Sequence, residues 1–209
     1  MKVINISDIN PMVCHYMADL RNVETQNNRQ FFGENVRNLG RILSLEASKF
    51  LEFSPTHIKT PFGETYSNTL VASPILFAIV RAGIKLQEGV SDIYTQSQIG
   101  FCTCPKNNEG SRNVQLFAPC NTIDKDVIIS DPIMTTGSSM IHTIDAIKNN
   151  GKPRKIIILN LISTELAIKN LSHNGCNNCI LITCSIDYFI QGVRGTIPGL
   201  GDAGDLIYG

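Results

Sequence analysis

The sequence predicts an α/β protein: a mostly parallel sheet flanked by helices, preceded by a helical N-terminal segment and closed by a loop-rich C-terminal hood. Three observations carry that prediction. From residue 75 onward, short apolar β-rich runs alternate with helical stretches, the pattern of a parallel sheet covered on its faces. Before that point the texture is helical, with an apolar stripe at spacings of three and four. After Ile186 the chain is aperiodic and carries six glycines between positions 192 and 209.

Taken in order, the first quarter reads as helix. Arg37 to Phe53 places Leu39, Ile42, Leu43, Glu46 and Phe50 on one stripe. The segment SPTHIKTPFG then reads as a set of breakers. PILFAIV is a buried strand ending at Arg81-Ala82-Gly83, and a short helical stretch follows it. Further strands are expected at Ile99–Thr103, Val114–Phe117, Val127–Ser130, Lys155–Ile162 and Ile180–Ile186. Helices are expected over Ser138–Asn149, with Gly151 as its C-cap, and over 164–171. No repeat and no low-complexity linker divides the chain, so residues 1–209 read as one domain.

Composition excludes several function classes. The 209 residues carry 18 basic and 18 acidic side chains, a formal charge of zero. Charged residues are 17%, against roughly 25% in an average soluble domain. A nucleic-acid partner that needs a basic surface is therefore not expected. A small anion is compatible, because backbone N–H groups bind phosphate without net charge. The start MKVINISDINP lacks the apolar core of a signal peptide, and no apolar run is long enough to span a bilayer. A cytoplasmic protein with no membrane partner is expected, its seven cysteines reduced. His173, Cys176, Cys179 and Cys184 contain one CxxC, but no second pair follows and Cys184 sits in a strand. Two loop thiols and one core thiol describe them better than a metal site.

The densest chemical signal is IISDPIMTTGSS, residues 128–139. A buried strand ends in Asp131, and Pro132, Ile133 and Met134 lead to Thr135, Thr136, Gly137, Ser138 and Ser139 at the start of a helix. Ligands of parallel sheets bind beyond the carboxyl ends of the strands, where a helix N-terminus offers unpaired N–H groups to phosphate. Asp131 suits two adjacent sugar hydroxyls better than a phosphate. The same string also describes an ordinary βα turn with a Ser/Thr N-cap. Gly199-x-Gly201-x-x-Gly204 satisfies the dinucleotide pattern G-x-G-x-x-G, yet only five residues follow Gly204, too few for the required helix and acid. The P-loop pattern is absent from the sequence.

Residues 128–139 resemble the 5-phosphoribosyl-1-pyrophosphate (PRPP) loop of phosphoribosyltransferases, in the form used by the uracil phosphoribosyltransferase family. Ile79-Val-Arg-Ala-Gly83 resembles that family's turn facing pyrophosphate, and Pro198-Gly-Leu-Gly-Asp-Ala-Gly-Asp205 matches its uracil loop (here 195–205) letter for letter. Arg21 and the long helix ending near Glu46 extend the likeness to nearly the whole chain. The resemblance implies a phosphoribosyltransferase-like fold and transfer of phosphoribose from PRPP to uracil, giving UMP and pyrophosphate. Asp131 would hold the ribose hydroxyls and Thr135 to Ser139 the 5′-phosphate, within a PRPP-binding run that includes Pro132, Ile133 and Met134. Arg81 would neutralise pyrophosphate. The backbone of Thr196 and of Gly201, Asp202 and Ala203 would pair with uracil. Asp202 and Arg81 would be the catalytic pair, with Asp202 near C1′. Mg²⁺ would arrive on PRPP, with no direct protein ligand. A homodimer or larger homo-oligomer is implied as well.

The sequence also departs from the family. Cys102 aligns with an arginine that contacts PRPP, with Lys106 as a partial substitute. Phe32-Gly33 stands for Phe-Arg, Gly195-Thr196-Ile197 for Tyr-Ile-Val, and Asp205-Leu206 for Asp-Arg. The residue at 102 motivates a second reading, a weakly active or inactive paralogue that senses PRPP, UMP or uracil. An RNA-binding regulator on the same fold conflicts with the zero charge.

Overall fold

In the computed structural model, residues 1–105, 112–190, 192 and 195–209 are described; Lys106 lies outside them. The chain opens with a strand, β1 (Lys2–Asn5), and one 3-10 turn, then forms α1 (Pro11–Arg21) and α2 (Arg29–Ser48). Pro11 occupies the first turn of α1, where its missing N–H costs nothing, and the Asn10 side chain accepts from the Met12 N–H. Asn28 caps α2 in the same manner through the Phe31 N–H. That cap places the start of α2 eight residues before Arg37.

The expected breakers instead form a hairpin, β2 (Phe53–Thr60) with β3 (Gly63–Leu70), antiparallel in register from Phe53↔Leu70 to Thr60↔Gly63. Both strands are edges, so Pro55 is tolerated in β2. The remaining strands are β4 (Ile75–Ile79), β5 (Ile99–Thr103), β6 (Gln115–Phe117), β7 (Asp126–Ser130), β8 (Lys155–Thr164) and β9 (Ile180–Asp187). Between them lie α3 (Gly83–Ile93), α4 (Ser138–Asn150) and α5 (Glu165–His173). The tail is not all loop: it ends in α6 (Ala203–Tyr208).

The main sheet has the order β1-β9-β8-β7-β4-β5-β6, parallel except for the β5–β6 edge. Its two faces sort by the period of two. Leu76, Ile128, Ile157 and Leu159 pack under Val36, Leu39, Leu43 and Leu86 of α2 and α3. Phe77, Val127, Ile129 and Ile158 meet Met140, Ile144, Ile147 and Leu171 of α4 and α5. Each such buried side chain contributes about 1.5–3 kcal/mol, so stability resides in the three layers and not in the exposed hairpin. The apolar stripe of α2 is spent on the chain's own core. At the α2–α3 crossing, a Cβ on Gly89 would lie 2.0 Å from the Arg37 carbonyl, so only glycine permits that approach. Cys176 and Cys179 are in a loop as expected but buried, 0% and 4% exposed, and Cys184 is fully buried in β9. Among the described residues no helix is long and apolar enough to cross a membrane.

The connections settle where a ligand can bind. From β4 the chain crosses through α3 to β5 on one side. From β7 it crosses through α4 to β8 on the other. The adjacent pair β4 and β7 is therefore the switch point of the sheet, and a crevice opens beyond their carboxyl ends.

Candidate active site

Each strand of that pair delivers one of the expected segments. β4 ends at the turn Arg81-Ala82-Gly83. A Cβ on Gly83 would sit 2.4 Å from the Ser130 carbonyl, so glycine lets the start of α3 press against the end of β7. β7 ends at Asp131, whose N–H donates to the Leu159 carbonyl at 3.1 Å and whose carbonyl accepts from Asn160 Nδ2 at 2.8 Å. Gly137, at φ 73°, is the left-handed residue that turns the chain into α4.

The loop between Asp131 and Gly137 is oriented by residues with no sequence motif. Thr164 Oγ1 donates to the Thr135 carbonyl at 2.6 Å, and Asn170 Nδ2 donates to the Thr136 carbonyl at 2.9 Å. Because a trans peptide holds its C=O and N–H on opposite sides, those bonds turn the N–H groups of Thr136 and Gly137 away from α5, toward the cleft. Together with the first turn of α4 they form an anion cradle. Arg112 lies over this cradle. Its Nε donates to Ser138 Oγ at 3.0 Å and its Nη1 to the Cys104 carbonyl at 2.7 Å.

The hood is built from the other end of the chain. After β9, Tyr188 and Ile197 exchange backbone hydrogen bonds at 2.8 and 2.9 Å and return the chain antiparallel. The return is anchored from α1. Arg21 spans Asp187 with two bonds of 2.8 Å and also donates to Ser185 Oγ and the Gly199 carbonyl. The Gly199 N–H donates back to Asp187 Oδ2 at 2.8 Å. Burial pulls the Asp187 carboxyl upward, but the bonds from Arg21, Ser185 and Gly199 outweigh it and hold the group below the usual range. Asp202 caps α6, its Oδ1 accepting from the Gly204 and Asp205 N–H groups at 2.9 and 3.2 Å. Asp205 Oδ1 accepts from Arg81 Nη2 at 2.8 Å, joining the hood to the β4 turn across exposed surface.

One cleft of about 390 Å³ brings these parts together: Ala82, Asp131, Ile133 and Thr135 on the sheet side, Gly195 and Gly201 to Asp205 on the hood side. A smaller recess over the start of α4 adjoins it, sharing Asp131, Ile133 and Thr135 and adding Arg112, Met134, Thr136 to Ser139 and Met140. Asp131 reaches the cleft yet is hemmed in by protein, and burial pushes its carboxyl up to about 7, with Arg112 acting in the opposite sense. Thr196, 9% exposed, sits in the hood's return, and Pro132 behind the loop accepts from the Leu161 and Ile162 N–H groups. Position 102 is elsewhere. Cys102 is fully buried in β5, opposite Ile79 and Leu116, and Thr143 Oγ1 donates to its sulfur at 3.2 Å. Alternation along β5 turns it into the α4 layer, so it is a core residue and not a vacated place in the cleft. Beside Gly33, the space for a side chain is filled by the stem of Lys85.

The sequence reading missed Arg112, Thr164 and Asn170. Arg112 is drawn to the site because β6 returns antiparallel to β5, which no local pattern near residue 112 signals.

A family model described as uracil phosphoribosyltransferase matches residues 7–209. The chain belongs to the uracil phosphoribosyltransferase family. Curated relatives carrying that name include one from Porphyromonas gingivalis, 29% identical with 100% of this chain and 99% of the relative aligned. Another, from Rhizobium meliloti, is 32% identical over 95% of each. Among solved structures, an Aquifex aeolicus protein superposes with a TM-score of 0.88 at 23% identity, covering 99% of this chain and 97% of its own. That match establishes the fold.

Proposed function

We propose that the protein transfers the phosphoribosyl group of PRPP to uracil, forming UMP and releasing pyrophosphate, with residues 1–209 acting as one phosphoribosyltransferase domain. The observation that carries this reading is the cleft itself. Asp131 and the donor-rich turn into α4 face the PGLGDAGD loop across about 390 Å³ at the switch point of the sheet, which suits a sugar phosphate on one side and a base on the other.

In this reading the cradle from Thr135 to Ser139 takes the 5′-phosphate through N–H groups and hydroxyls, with Pro132, Ile133 and Met134 shaping its wall. Asp131 accepts from the ribose hydroxyls, which its raised pKa makes dependent on pH. Backbone groups of Thr196, Gly201, Asp202 and Ala203 read the edge of uracil; a rigid backbone matches fixed donors and acceptors and does not titrate. N1 of uracil bonds to C1′ as the C1′–O bond to pyrophosphate breaks, and the N1 proton is released. Asp202 is the acid nearest this event, with Oδ1 committed to the α6 cap and Oδ2 outside those bonds. Arg81 neutralises the leaving pyrophosphate. Positioning and stabilisation of developing charge supply the rate.

Mg²⁺ fits as a companion of the substrate. Asp202 has one carboxylate oxygen committed to the α6 cap and Asp205 one in an exposed pair with Arg81, which leaves single oxygens at most, so the metal would be held chiefly by pyrophosphate oxygens. There it would offset the charge of the leaving group. The alternative of an inactive sensor rests on the guanidinium missing at position 102; Cys102 is a buried core residue, and turnover in the assay below separates the two readings.

We place the enzyme in the cytosol, where its seven free thiols are stable, and propose a homo-oligomer. The β2–β3 hairpin supports a second copy as partner. It exposes Phe53, Phe62 and Tyr66, and an isolated two-stranded hairpin is marginal in water. A monomeric mass by light scattering at micromolar concentration would refute this assembly.

The decisive test of function mixes protein, Mg²⁺, PRPP and uracil, and follows pyrophosphate and UMP, with cytosine and orotate as control bases. Saturable binding of PRPP without turnover would defeat the enzyme reading.

A further inference from the structure

We propose that Arg112 is a substrate-binding residue, a guanidinium that grips the 5′-phosphate of PRPP over the cradle formed by Thr135 to Ser139. The inference rests on the phosphoribosyltransferase reading and extends it to a residue outside every motif the sequence displays.

Three observations carry it. Arg112 lines the same small recess as Asp131, Thr135, Thr136, Gly137, Ser138 and Ser139, so its cation faces the anion cradle. Its fork is held in place from two directions. Nε donates to Ser138 Oγ, the hydroxyl at the first residue of α4, and Nη1 donates to the Cys104 carbonyl at the end of the strand edge. A guanidinium carries five N–H groups, and those two bonds use two of them while fixing the plane of the rest. Finally, the charge reaches the site electrostatically, since Arg112 acts on the Asp131 carboxyl against the effect of its burial.

Chemistry favours phosphate as the occupant. The recess offers N–H donors, hydroxyls and one guanidinium, the donor set of a phosphomonoester, and a planar fork bonds phosphate oxygens in pairs. Pyrophosphate has its own cation in Arg81, on the turn after β4, where it pairs with Asp205 of the hood. Two arginines from separate strand ends would thus divide the two anionic ends of one substrate.

The experiment compares wild type, Arg112→Ala and Arg112→Lys by calorimetry with ribose 5-phosphate and with PRPP. Inhibition of the pyrophosphate-releasing reaction by added pyrophosphate serves as the contrast, and thermal unfolding confirms that each variant is folded. Loss of a charge-assisted bond should weaken ribose 5-phosphate and PRPP by roughly 10–100-fold in Arg112→Ala. Arg112→Lys should recover part of that, and pyrophosphate inhibition should stay within about two-fold. An anchor of the β5–β6 connection alone would not discriminate between the two anions. Folded Arg112→Ala that binds ribose 5-phosphate as wild type does overturns the proposal, as does a variant that loses pyrophosphate equally. A wild type that binds ribose 5-phosphate through Arg112 but never turns over uracil leaves this assignment standing and defeats the catalytic reading instead. A wild type that binds neither sugar phosphate overturns both.

Discussion

Removing Asp187 tests whether the hood is held by the α1 anchor. The carboxylate is 2% exposed and accepts four hydrogen bonds, two from Arg21 and one each from Ser185 and Gly199. Asp187→Ala strands the Arg21 cation and orphans the Gly199 N–H. Breaking a buried pair in this manner costs about 3–5 kcal/mol. Because the Arg21 side chain keeps 21% of its surface in contact with solvent, water can serve part of the guanidinium, and the lower end of that range applies. For a chain of this size each kcal/mol moves Tm by about 2–4 °C, so the expected fall is about 6–12 °C. Function should suffer selectively. Gly199 sits between Thr196 and Gly201, so the KM for uracil should rise more than the KM for PRPP.

Differential scanning calorimetry and initial rates at varied uracil and varied PRPP read the two effects. The sign of the pH dependence follows from the depressed carboxyl of Asp187. Its stabilisation is present above the unfolded value of about 3.9 and is lost as pH falls through the lower folded value. The gap between wild type and Asp187→Asn should therefore close in acid. A fall in Tm below about 2 °C, or equal changes in both KM values, would refute the anchoring argument.

Three further outcomes follow from the packing and the cleft. Asp131 has a folded pKa raised to about 7 by burial, so the folded state holds its proton more tightly and the group costs stability as pH rises from about 4 to 7. Asp131→Asn should melt higher than wild type at pH 8, bind PRPP far more weakly with uracil little changed, and lose the part of the PRPP pH dependence centred near 7; an unchanged slope would assign that titration to the substrate. Gly89→Ala should destabilise by about 1–3 kcal/mol or more through overpacking, measured by urea unfolding, because its Cβ would meet the Arg37 carbonyl at 2.0 Å. Cys102→Arg should lower stability and raise no activity, since it drives a cation into the layer between β5 and Thr143; a folded and faster variant would show that position 102 faces the cleft.

Much of the fold was legible because its signals are local and repeated. The strand at Ile99–Thr103 coincides with its expected bounds, and those at Val127–Ser130, Lys155–Ile162 and Ile180–Ile186 fall within two residues at each end. The apolar runs of the last three are buried on both faces, while Ile99–Thr103 alternates exposed and buried residues, and all are bounded by turn residues. The misses have distinct causes. β1 is four residues that pair with β9 across most of the chain, an association no window around Lys2 contains. The β2–β3 hairpin is exposed on both faces, so neither strand shows the alternation of a half-buried strand, and Pro55 and Pro61 read as breakers. α2 begins early because Asn28 caps it, a signal masked by the polar run before Arg37. The site followed the same division. Asp131, the cradle and the hood loop are contiguous motifs and meet in one cleft. Arg112, Thr164 and Asn170 act there only because the sheet order brings them in.

That division bears on how a chain with no net charge can hold a substrate with two anionic ends. Under the proposed reading the cations need not be numerous, only placed and available. Arg81 is paired with Asp205 at 2.8 Å, but both side chains are more than half exposed, and such pairs contribute about 0–1 kcal/mol. A charge-assisted bond to a phosphate oxygen contributes about 1.5–3 kcal/mol. Pyrophosphate can therefore displace Asp205 from Arg81 at small cost, and the same displacement frees the carboxylate at the first turn of α6. The pair holds the Arg81 guanidinium against the hood before substrate arrives, and it is weak enough to yield when it does. Asp205→Ala separates the two contributions. If pre-positioning outweighs competition, the PRPP KM rises; if competition outweighs it, the KM falls. The small energy of an exposed pair argues for a change within about three-fold, and a larger one in either direction would show that the Arg81–Asp205 pair is not the easily broken contact its exposure indicates.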